Sequence, residues 1–543
     1  VRGIEQARRW IADDPDPETR ALAEQMLARA DPTELEDAFG QRLAFGTAGI
    51  RGALGPGPGR MNRALVRRVT AGLAQWVART GSGGGPVVVG CDARRGSAAF
   101  ADDAARVLAG AGLPVVRFPG VCPTPLVAYA VRALGGRAGV MVTASHNPPG
   151  DNGYKVYGPS GGQIVPPADA EISAAIDAVG PTLAIPLGDR VDEVPSGLVD
   201  AYLREVAALR VHRPGRTVRI VYTPLHGVGG ELALRVLAAA GHTDVVVVPE
   251  QFEPDGAFPT VAFPNPEEKG ALDLALALAE RVDADLILAN DPDADRIAVA
   301  VRGRRLSGNE VGTLLAEDLL SEGSASERRL VATTVVSSTL LGRIAAAHGA
   351  DYAETWTGFK WIAHAAESSP ARFVLGYEEA LGVCVGSVVR DKDGLSAALL
   401  VADLAAHLAS RGETLLDALD ALYRRYGVHL GSQVTVTAPG AAGLRRIAET
   451  MASVRARPWT ELGGVRVTGF VDHAVPTSSG RPPADVLAFT LGADRVLLRP
   501  SGTEPKLKVY LEVVEPVVTG LDAAREVARE RLGRLEAAVR DIG

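Results

Sequence analysis

The fold class is decided by a stretch that reads VVVGCDARRGSAAFADDAARVLAGAGLPVV from Val87 to Val116. Val87-Val88-Val89 is a short apolar run of the kind found in buried strands. The residues from about 99 to 109 predict a helix that ends at Gly110, and Val115-Val116 begins a second strand. A strand, a helix and another strand in such close succession predict a parallel α/β sheet.

The same pattern returns twice further along the chain. One copy has a strand over 218–222, a helix over 232–240 and a strand over 245–248, and the other has a strand over 330–336, a helix over 340–347 and an extended segment over 352–355. The helices end in similar residues, RVLA, RVLA and RIAA, which indicates three copies of one α/β unit. Alanine-rich helices also resemble one another through composition alone, and the pattern leaves that alternative open.

The C-terminal part follows a different pattern. From about His429 short strands dominate, and the sequence predicts them over 433–437, 465–470, 496–499 and 508–512. An amphipathic helix follows over 521–540. We therefore expect an α/β protein with three similar α/β domains and a smaller C-terminal α+β domain. The predicted bounds of the four domains are 1–205, 206–318, 319–428 and 429–543.

Composition narrows the class of protein. The chain has 543 residues, of which 47% are hydrophobic and 22% charged, as in a globular protein of several domains. Its 57 Lys and Arg against 65 Asp and Glu leave a formal charge of −8, which argues against nucleic-acid binding. Cys91, Cys122 and Cys384 are too far apart in sequence to indicate a zinc site or a disulfide framework. Since no signal peptide or membrane-spanning run is visible, we expect a cytoplasmic protein without a membrane partner.

An acidic loop is the strongest chemical signal in the sequence. Asp291-Pro292-Asp293-Ala294-Asp295-Arg296 connects two apolar runs, over 286–289 and 297–301, and therefore predicts a tight turn between strands. Three carboxylates at alternate positions can converge on one hard cation. An EF-hand is excluded, because Arg296 and Arg302 stand where it needs glycine and glutamate. The alternative is a solvated acidic turn, which repulsion beside buried strands disfavours, so we predict a metal site here.

A second loop carries a candidate nucleophile. Thr143-Ala144-Ser145-His146-Asn147-Pro148-Pro149 follows the apolar run Val140-Met141-Val142. A serine hydroxyl on a loop after a strand is a possible nucleophile, and His146 and Lys155 could support phosphate chemistry. Many Ser-His pairs are only turns, and the Gly-x-Ser-x-Gly sequence of acyl-transfer serines does not surround Ser145.

Two further loops carry weaker signals. The segment 499–506, RPSGTEPK, combines an arginine, hydroxyls and glycine amides, which suit a phosphate group, although an ordinary β-turn has a similar composition. The segment 376–382, GYEEALG, places Glu378 and Glu379 between glycines, and DKDG follows over 391–394. Paired carboxylates can accept hydrogen bonds from sugar hydroxyls, but a solvated acidic loop fits this pattern equally well.

Together, these loops resemble the motifs of the α-D-phosphohexomutase superfamily, which includes phosphoglucomutases and phosphomannomutases. Four segments are similar to its phosphoserine, magnesium, sugar-specificity and phosphate loops, namely 143–148, 291–296, 376–382 and 499–503. The segment 45–52 is similar to the N-terminal signature of the family, with Arg51 as the active-site arginine. The motifs occur in the family's order and cover nearly the whole chain. The resemblance implies three similar α/β domains and a smaller fourth domain around a central cleft.

The resemblance also implies an activity. It implies an intramolecular phosphotransferase that interconverts sugar 1-phosphate and 6-phosphate, of glucose or mannose, through a phosphoserine and a bisphosphorylated sugar. The implied cofactors are Mg²⁺ and a sugar 1,6-bisphosphate activator, and the implied assembly is a monomer or homodimer that binds a phosphosugar.

The same resemblance implies roles for individual residues. The implied catalytic residues are Arg51, Ser145, His146, Lys155 and Lys392, with His146 open to a purely orienting role and Lys392 as a general acid or base. The implied metal ligands are Ser145, Asp291, Asp293 and Asp295. The implied substrate contacts are Arg296, Gly358, Lys360, Glu378, Glu379, Arg499, Ser501, Gly502 and Thr503.

The choice of sugar stays open within the superfamily. Segments 222–227 and 356–360 are most similar to the type-2 phosphoglucomutase branch, some members of which prefer pentose phosphates or make glucose 1,6-bisphosphate. Ala380 stands where commoner forms of the sugar loop have serine, so one hydroxyl contact is missing. A phosphopentomutase, a bisphosphate synthase and a phosphatase that uses the same serine and metal are therefore the alternatives.

Overall fold

The structure is a computed structural model that describes residues 2–81, 84–213, 215, 217–322, 327–438, 441–475, 481–501, 506–540 and 542. Four sheets of four to six strands follow one another along the chain, with one two-stranded ribbon beside the last of them. No helix within these residues has the length and apolar character needed to cross a membrane.

The first sheet has six strands. They are β1 (Ile50–Ala53), β2 (Val87–Cys91), β3 (Val115–Arg117), β4 (Ala138–Val142), β5 (Asp151–Tyr157) and β6 (Asp192–Glu193). The helices of this part are α1 (Arg2–Asp13), α2 (Pro17–Arg29), α3 (Pro32–Leu35), α4 (Arg63–Thr80), α5 (Ser97–Gly110), α6 (Thr124–Ala133), α7 (Ala168–Asp177) and α8 (Leu198–Ala207). A π-helical turn at Glu36–Gly40 and a 3₁₀ turn at Thr182–Ala184 complete it. The strand order is β1-β5-β4-β2-β3-β6.

Burial on both faces explains the apolar run at β2. Val87 and Val89 belong to the core that contains residues of α4 and α5, whereas Val88 belongs to the core that contains residues of α6. A parallel strand covered by helices on both faces needs apolar residues at every position. The prediction of a parallel α/β unit from this stretch is confirmed, because β2 pairs in parallel with both β3 and β4.

The second and third sheets follow the first. The second consists of β7 (Ile220–Thr223), β8 (Val245–Val247), β9 (Leu286–Asn290), β10 (Ile297–Val301) and β11 (Arg304–Leu306), with α9 (Gly230–Ala239), α10 (Pro249–Phe252) and α11 (Asp273–Val282). The third consists of β12 (Arg329–Thr334), β13 (Asp351–Thr355), β14 (Arg372–Glu378) and β15 (Gly382–Val385), with α12 (Gly308–Glu322), α13 (Leu340–Ala347), α14 (Phe359–Ser368), α15 (Gly394–Ser410) and α16 (Leu415–Tyr426).

The three sheets share one topology. In each, a first strand lies between a second and a third strand that run parallel to it, and a fourth strand returns antiparallel to the third. The orders β3-β2-β4-β5, β8-β7-β9-β10 and β13-β12-β14-β15 therefore correspond strand for strand. The expectation of three similar α/β units is confirmed, and the similar helix ends are the ends of α5, α9 and α13, which occupy equivalent places.

The fourth sheet is antiparallel throughout. Its strands are β16 (Val428–Thr437), β19 (Gly469–Asp472), β20 (Leu487–Leu491), β21 (Asp494–Pro500) and β22 (Lys506–Glu515), beside the ribbon of β17 (Glu461–Leu462) and β18 (Val465–Arg466). Its helices are α17 (Ala441–Ala456) and α18 (Leu521–Arg540). The α+β character is confirmed, but the single strand expected over 465–470 is wrong: β18 and β19 are separate and belong to different sheets. The four domain bounds given above stay predictions.

A buried glutamate joins the fourth sheet to the third unit. The carboxylate of Glu512, on β22, accepts hydrogen bonds from the Ser338 hydroxyl at 2.6 Å and the Thr339 backbone N–H at 2.9 Å, at the N-terminus of α13. Arg495 Nε donates to it at 2.9 Å and His429 Nδ1 lies 3.2 Å away. Burial alone would raise the pKa of Glu512, but His429, Arg495 and Ser338 together lower it to about 2.

Replacing this carboxylate should destabilise the protein in a pH-dependent way. A depressed pKa means that the stabilisation is fully present above the ordinary pKa of 4.5 and is lost as the pH falls toward 2. We expect Glu512→Gln to lower the free energy of unfolding at pH 7 by up to about 3 kcal/mol. Urea unfolding of both proteins at pH 7 and pH 4 measures the difference.

The matched control is Glu530→Gln, on the exposed face of α18. It should leave stability unchanged at both pH values. Equal stability of Glu512→Gln and the unsubstituted protein at pH 7 would contradict the role given to this contact.

Candidate active site

The candidate functional loops occupy the same place in each of the three similar units. The hairpin between the third and fourth strand holds Ser145 in the first unit, the aspartates 291, 293 and 295 in the second, and Glu378 with Glu379 in the third. Each hairpin contains one non-glycine residue with left-handed backbone, namely Ser145 (φ 52°), Ala294 (φ 57°) and Leu381 (φ 63°). Each loop begins at the carboxyl end of a parallel strand, the edge where α/β proteins place their ligands.

Ser145 is held against the acidic loop. Its hydroxyl donates to Asp291 Oδ2 at 2.8 Å, and its backbone N–H donates to Thr143 Oγ1 at 2.8 Å. The Thr143 hydroxyl in turn donates to Asp92 Oδ2 at 2.6 Å. Only 2% of Ser145 is exposed, so a nucleophile here is shielded from bulk water.

His146 lies beside the serine. Its Nδ1 is 3.2 Å from Ser145 Oγ. Burial and the neighbouring Arg296 and Arg51 hold the pKa of His146 well below its usual range, so the ring is neutral at physiological pH. A neutral ring can accept a proton from a hydroxyl or orient it.

The three aspartates form a buried cluster whose ligand atoms lie within 4.8 Å of one another. Burial and the two other carboxylates raise the pKa of Asp291 well above its usual range. Burial acts in the same direction on Asp293 and Asp295, but Lys155 outweighs it at both, with Lys392 and Arg296 adding to the effect at Asp295, so that the pKa of each is lowered.

Cations from three parts of the chain balance these carboxylates. Lys155 Nζ, on β5, donates to Asp293 at 2.6 Å and to Asp295 at 2.8 Å. Lys392 Nζ, from the third unit, lies 3.3 Å from Asp295 Oδ2. Arg296 Nε lies 3.9 Å from both Asp291 and Asp295. Each of the three carboxylates thus has a cation as partner, although Lys392 also contacts Asp391 and Arg296 also contacts Glu267.

The same cluster fits a hard divalent cation. Asp293 Oδ1 and Asp295 Oδ1 are buried and have no hydrogen-bond partner among the described residues, so two carboxylate oxygens are free to coordinate an ion. Asp291 and the Ser145 hydroxyl add further oxygens at the same place. A compact set of oxygen donors suits Mg²⁺ better than a softer transition metal.

Thr124 also contacts the aspartate cluster, although no motif in the sequence points to it. Its hydroxyl donates to Asp293 Oδ2 at 2.6 Å and its backbone N–H donates to the Asp293 carbonyl oxygen at 2.9 Å. Thr124 opens α6 in the first unit and lies far from the acidic loop in sequence. Its neighbours Pro123 and Pro125 indicate only a helix start, so no sequence signal connects it with a metal loop.

The two carboxylates of the 376–382 segment are held by separate partners. Glu378 Oε1 accepts the backbone N–H of Gly358 at 2.8 Å. Glu379 Oε2 accepts the Ser337 hydroxyl at 3.1 Å. Burial and the neighbouring Glu378 raise the pKa of Glu379 to about 7. Ala380 also lines the cleft, and its methyl group offers no hydrogen bond.

Lys392 is fixed in its charged form. Burial would lower its pKa, but Asp295 and Asp391 outweigh burial and raise it above the usual range of lysine. Its Nζ lies 3.1 Å from Asp391 Oδ1 and 5.5 Å from the centre of the Phe359 ring. In this environment Lys392 holds its proton and contributes a fixed positive charge to the site.

Contacts and charge interactions connect several of the other candidate residues with these groups or with one another. Arg51, on β1, is close enough to influence the pKa values of His146 and Lys155, and Lys360 contacts the Thr47 hydroxyl of the first unit. Arg499, at the end of β21, influences the pKa of Lys360. Ser501 donates its backbone N–H to the Lys506 carbonyl oxygen at 2.8 Å, whereas Gly502 and Thr503 lie outside the described residues.

A cleft of about 450 Å³ lies where the three units and the fourth sheet meet. Its lining includes His146 from the first unit, Arg296 from the second, Glu379 from the third and Lys508 from the fourth sheet. A shielded serine beside a buried cluster of carboxylates and cations, with further charged groups across the cleft, is an arrangement that suits the transfer of phosphoryl groups.

Comparison with known proteins gives the family. The four models described as phosphoglucomutase/phosphomannomutase α/β/α domains I, II and III and C-terminal domain match residues 42–181, 200–304, 307–426 and 438–529. The chain therefore belongs to the phosphoglucomutase/phosphomannomutase family, within the α-D-phosphohexomutase superfamily. It is a phosphomutase, an isomerase that moves phosphate within its substrate.

Individual relatives carry different substrate names. A "Probable phosphomannomutase" of Haemophilus influenzae is 43% identical over 83% of this chain and 93% of its own length. The human phosphopentomutase is 34% identical over 94% of this chain and 91% of its own. A phosphoglucomutase of Staphylococcus epidermidis is 34% identical over 88% of this chain and 92% of its own length. The solved structure of a phosphoglucomutase/phosphomannomutase family protein from Burkholderia thailandensis has the same fold, with a TM-score of 0.70. The match covers 92% of this chain and 96% of that chain, at 22% sequence identity.

Magnesium should stabilise the protein through the acidic loop. An ion that binds only the folded state raises the free energy of unfolding by about 2.7 kcal/mol when its concentration is one hundred times the Kd. We expect a rise in Tm with added MgCl₂, measured by calorimetry after treatment with a chelator. Asp293→Asn should abolish the rise, because it removes one ligand charge.

The control for this experiment is Asp283→Asn, in the same part of the chain. Asp283 is exposed and has left-handed backbone, which asparagine tolerates. This variant should keep the full response to magnesium. A response that Asp293→Asn also retains would place the ion elsewhere.

Proposed function

We propose that this phosphomutase interconverts glucose 1-phosphate and glucose 6-phosphate through a phosphoserine at Ser145 and a glucose 1,6-bisphosphate intermediate. The observation that carries the proposal is the 2.8 Å contact between Ser145 Oγ and Asp291, inside a buried cluster with three cations. A phosphoserine carries a charge of about −1.5 to −2 at neutral pH, which such a site can accommodate.

Each half of the reaction is a single displacement at phosphorus. A sugar hydroxyl oxygen forms a bond to the phosphorus of phospho-Ser145 while the Ser145 Oγ–P bond breaks. The sugar hydroxyl loses its proton as the new bond forms, and Ser145 Oγ gains one as its bond to phosphorus breaks. His146, which is neutral and lies 3.2 Å from Ser145 Oγ, takes up the first proton and returns one to Oγ, while Lys392 stays charged. The bisphosphate then reorients within the cleft so that its other phosphate faces Ser145. That phosphoryl group is transferred to Ser145 Oγ as its bond to the sugar oxygen breaks.

Magnesium is proposed at Ser145, Asp291, Asp293 and Asp295. When bound there, it would offset the charge of the transferring phosphoryl group and polarise its oxygens. Arg51, Lys155 and Arg296 add positive charge around the same group. Lys155 also keeps Asp293 and Asp295 ionised, and ionised carboxylates are the form that binds a cation.

The far end of the cleft is proposed to hold the phosphate that does not react. We propose that Arg499, Ser501, Gly502 and Thr503 bind that phosphate and that Glu378 and Glu379 bind the sugar hydroxyls. Gly358 and Lys360 contact the substrate from the adjoining loop. A sugar 1,6-bisphosphate acts as activator because it can phosphorylate Ser145.

Ser145→Ala should remove nearly all turnover while leaving the fold intact, since it removes the hydroxyl that is proposed to form the phosphoenzyme. Coupled assays of glucose 1-phosphate isomerisation with magnesium and a trace of glucose 1,6-bisphosphate measure the loss. Ser410→Ala, at an exposed helix end, is the matched control and should keep full activity. Substantial activity of Ser145→Ala would exclude the phosphoserine scheme, and inorganic phosphate released at the turnover rate would indicate a phosphatase.

The sugar preference is tested by initial rates on glucose, mannose, ribose and glucosamine 1-phosphates, with products followed by phosphorus NMR. We expect glucose 1-phosphate to react fastest. Ala380→Ser should lower the KM for it by roughly 2- to 10-fold, the value of one hydrogen bond.

A second candidate is a phosphopentomutase or a glucose 1,6-bisphosphate synthase on the same scaffold. Ala380 favours it, because the missing hydroxyl weakens the case for a hexose. Ribose 1-phosphate as the best substrate, with no gain from Ala380→Ser, would replace the glucose proposal with the first of these. Net formation of glucose 1,6-bisphosphate from an external phosphate donor would replace it with the second.

A further inference from the structure

A buried arginine donates hydrogen bonds to the backbone of the Ser145 loop. Arg94 follows β2, and only 3% of it is exposed. Its Nη2 donates to the carbonyl oxygens of Ser145 and Asn147, both at 2.6 Å. Its Nη1 donates to those of Pro148 at 2.8 Å and Asp151 at 3.2 Å. One guanidinium thus fixes four carbonyl groups of the turn that presents the nucleophile.

Arg94 also contacts side chains of the first and the second unit. Asp92 Oδ2 lies 3.4 Å from its Nε, within the first unit. The ring of Phe258, from the second unit, has its centre 4.9 Å from the Arg94 guanidinium carbon. Phe258 is itself held with left-handed backbone, at φ 49°. A side chain at Gly256 would meet the Ala93 carbonyl oxygen at 2.4 Å, so the two chain segments are in close contact here.

The other two units brace their hairpins from the equivalent place. In the second unit the Val228 backbone N–H, after β7, donates to the Pro292 carbonyl oxygen at 2.8 Å. In the third unit the Ser337 hydroxyl, after β12, donates to Glu379 at 3.1 Å. The segment after the first strand therefore supports the functional hairpin in all three units. In the first unit this support is a charged side chain covered by a residue of the second.

We infer that Arg94 is a positioning residue for the phosphoryl transfer. It holds Ser145 at hydrogen-bonding distance from the aspartate loop, and the ring of Phe258 holds Arg94 in place. The inference rests on the proposed role of Ser145. Ser145 belongs to the first unit and Asp291 to the second, so their 2.8 Å contact depends on how the two units meet. Arg94 touches the Ser145 loop on one side and the second unit on the other.

The geometry requires a guanidinium in particular. Its planar fork offers five N–H groups in fixed directions, whereas a lysine ammonium is a compact charge with three. Lysine at this position can reach some of the four carbonyl groups but cannot hold them all. Ser145 has left-handed backbone, which a non-glycine side chain adopts at a cost, so its carbonyl needs this support. A shift of the nucleophile by about 1 Å can cost on the order of 100-fold in rate.

The test compares Arg94→Lys and Phe258→Leu with the control Arg63→Lys. Arg63 is also in the first unit and forms a bidentate contact with Asp103, away from the Ser145 loop. We expect Arg94→Lys to lower kcat by about 10- to 100-fold with the KM for the sugar phosphate within twofold. Phe258→Leu should lower kcat less, again at constant KM, and Arg63→Lys should leave both unchanged.

A chemical rescue separates positioning from folding. Arg94→Ala should regain part of its kcat when guanidinium chloride is added at millimolar concentration, without a change in Tm. An unchanged kcat in Arg94→Lys, or a rescue that only follows a rise in Tm, would overturn the inference. If Arg94→Lys does not fold, the inference is tested with Phe258→Leu instead. A kcat of Phe258→Leu equal to that of the unsubstituted protein would then overturn the inference. Ser145→Ala is run in parallel: its activity tests the phosphoserine scheme separately, since an active Ser145→Ala contradicts that scheme whatever the Arg94 variants do.

Discussion

The chain buries three carboxylates within 4.8 Å of one another, and the rest of the site depends on how their charge is balanced. Unpaired charges in a protein interior are too costly to persist, so cations must reach the same point. They arrive from three places: Lys155 from the first unit, Arg296 from the acidic loop itself and Lys392 from the third unit. The balance therefore ties three separate sheets to one point in the cleft.

Repetition explains how one chain brings so many different groups together. Each unit ends its central parallel strands at one edge and returns through a hairpin there. The three hairpins carry a serine hydroxyl, three aspartates and a pair of glutamates. Each is braced from the segment after its own first strand, so the functional groups sit on rigid supports even though they lie in loops. Residues of the fourth sheet, such as Lys508, line the cleft with them.

The sequence was sufficient for whatever depends on neighbours along the chain. The apolar runs around 291–296 located a turn between strands, and the repeated pattern located three units. Contacts between distant segments were out of reach: nothing around Thr124 or Arg94 indicates which loop each one holds. The amphipathic helix α17 was missed because the surrounding short strands dominate the pattern, and the 465–470 segment was assigned one strand because its apolar residues continue across the break between β18 and β19.

The left-handed residue in each hairpin has a consequence for how the three loops can differ. Ser145, Ala294 and Leu381 are the left-handed non-glycine residues of hairpins that have different lengths. Each hairpin therefore has its own turn backbone, so a nucleophile in one requires no matching side chain in the others. The three loops can carry different chemistry on one shared arrangement of strands.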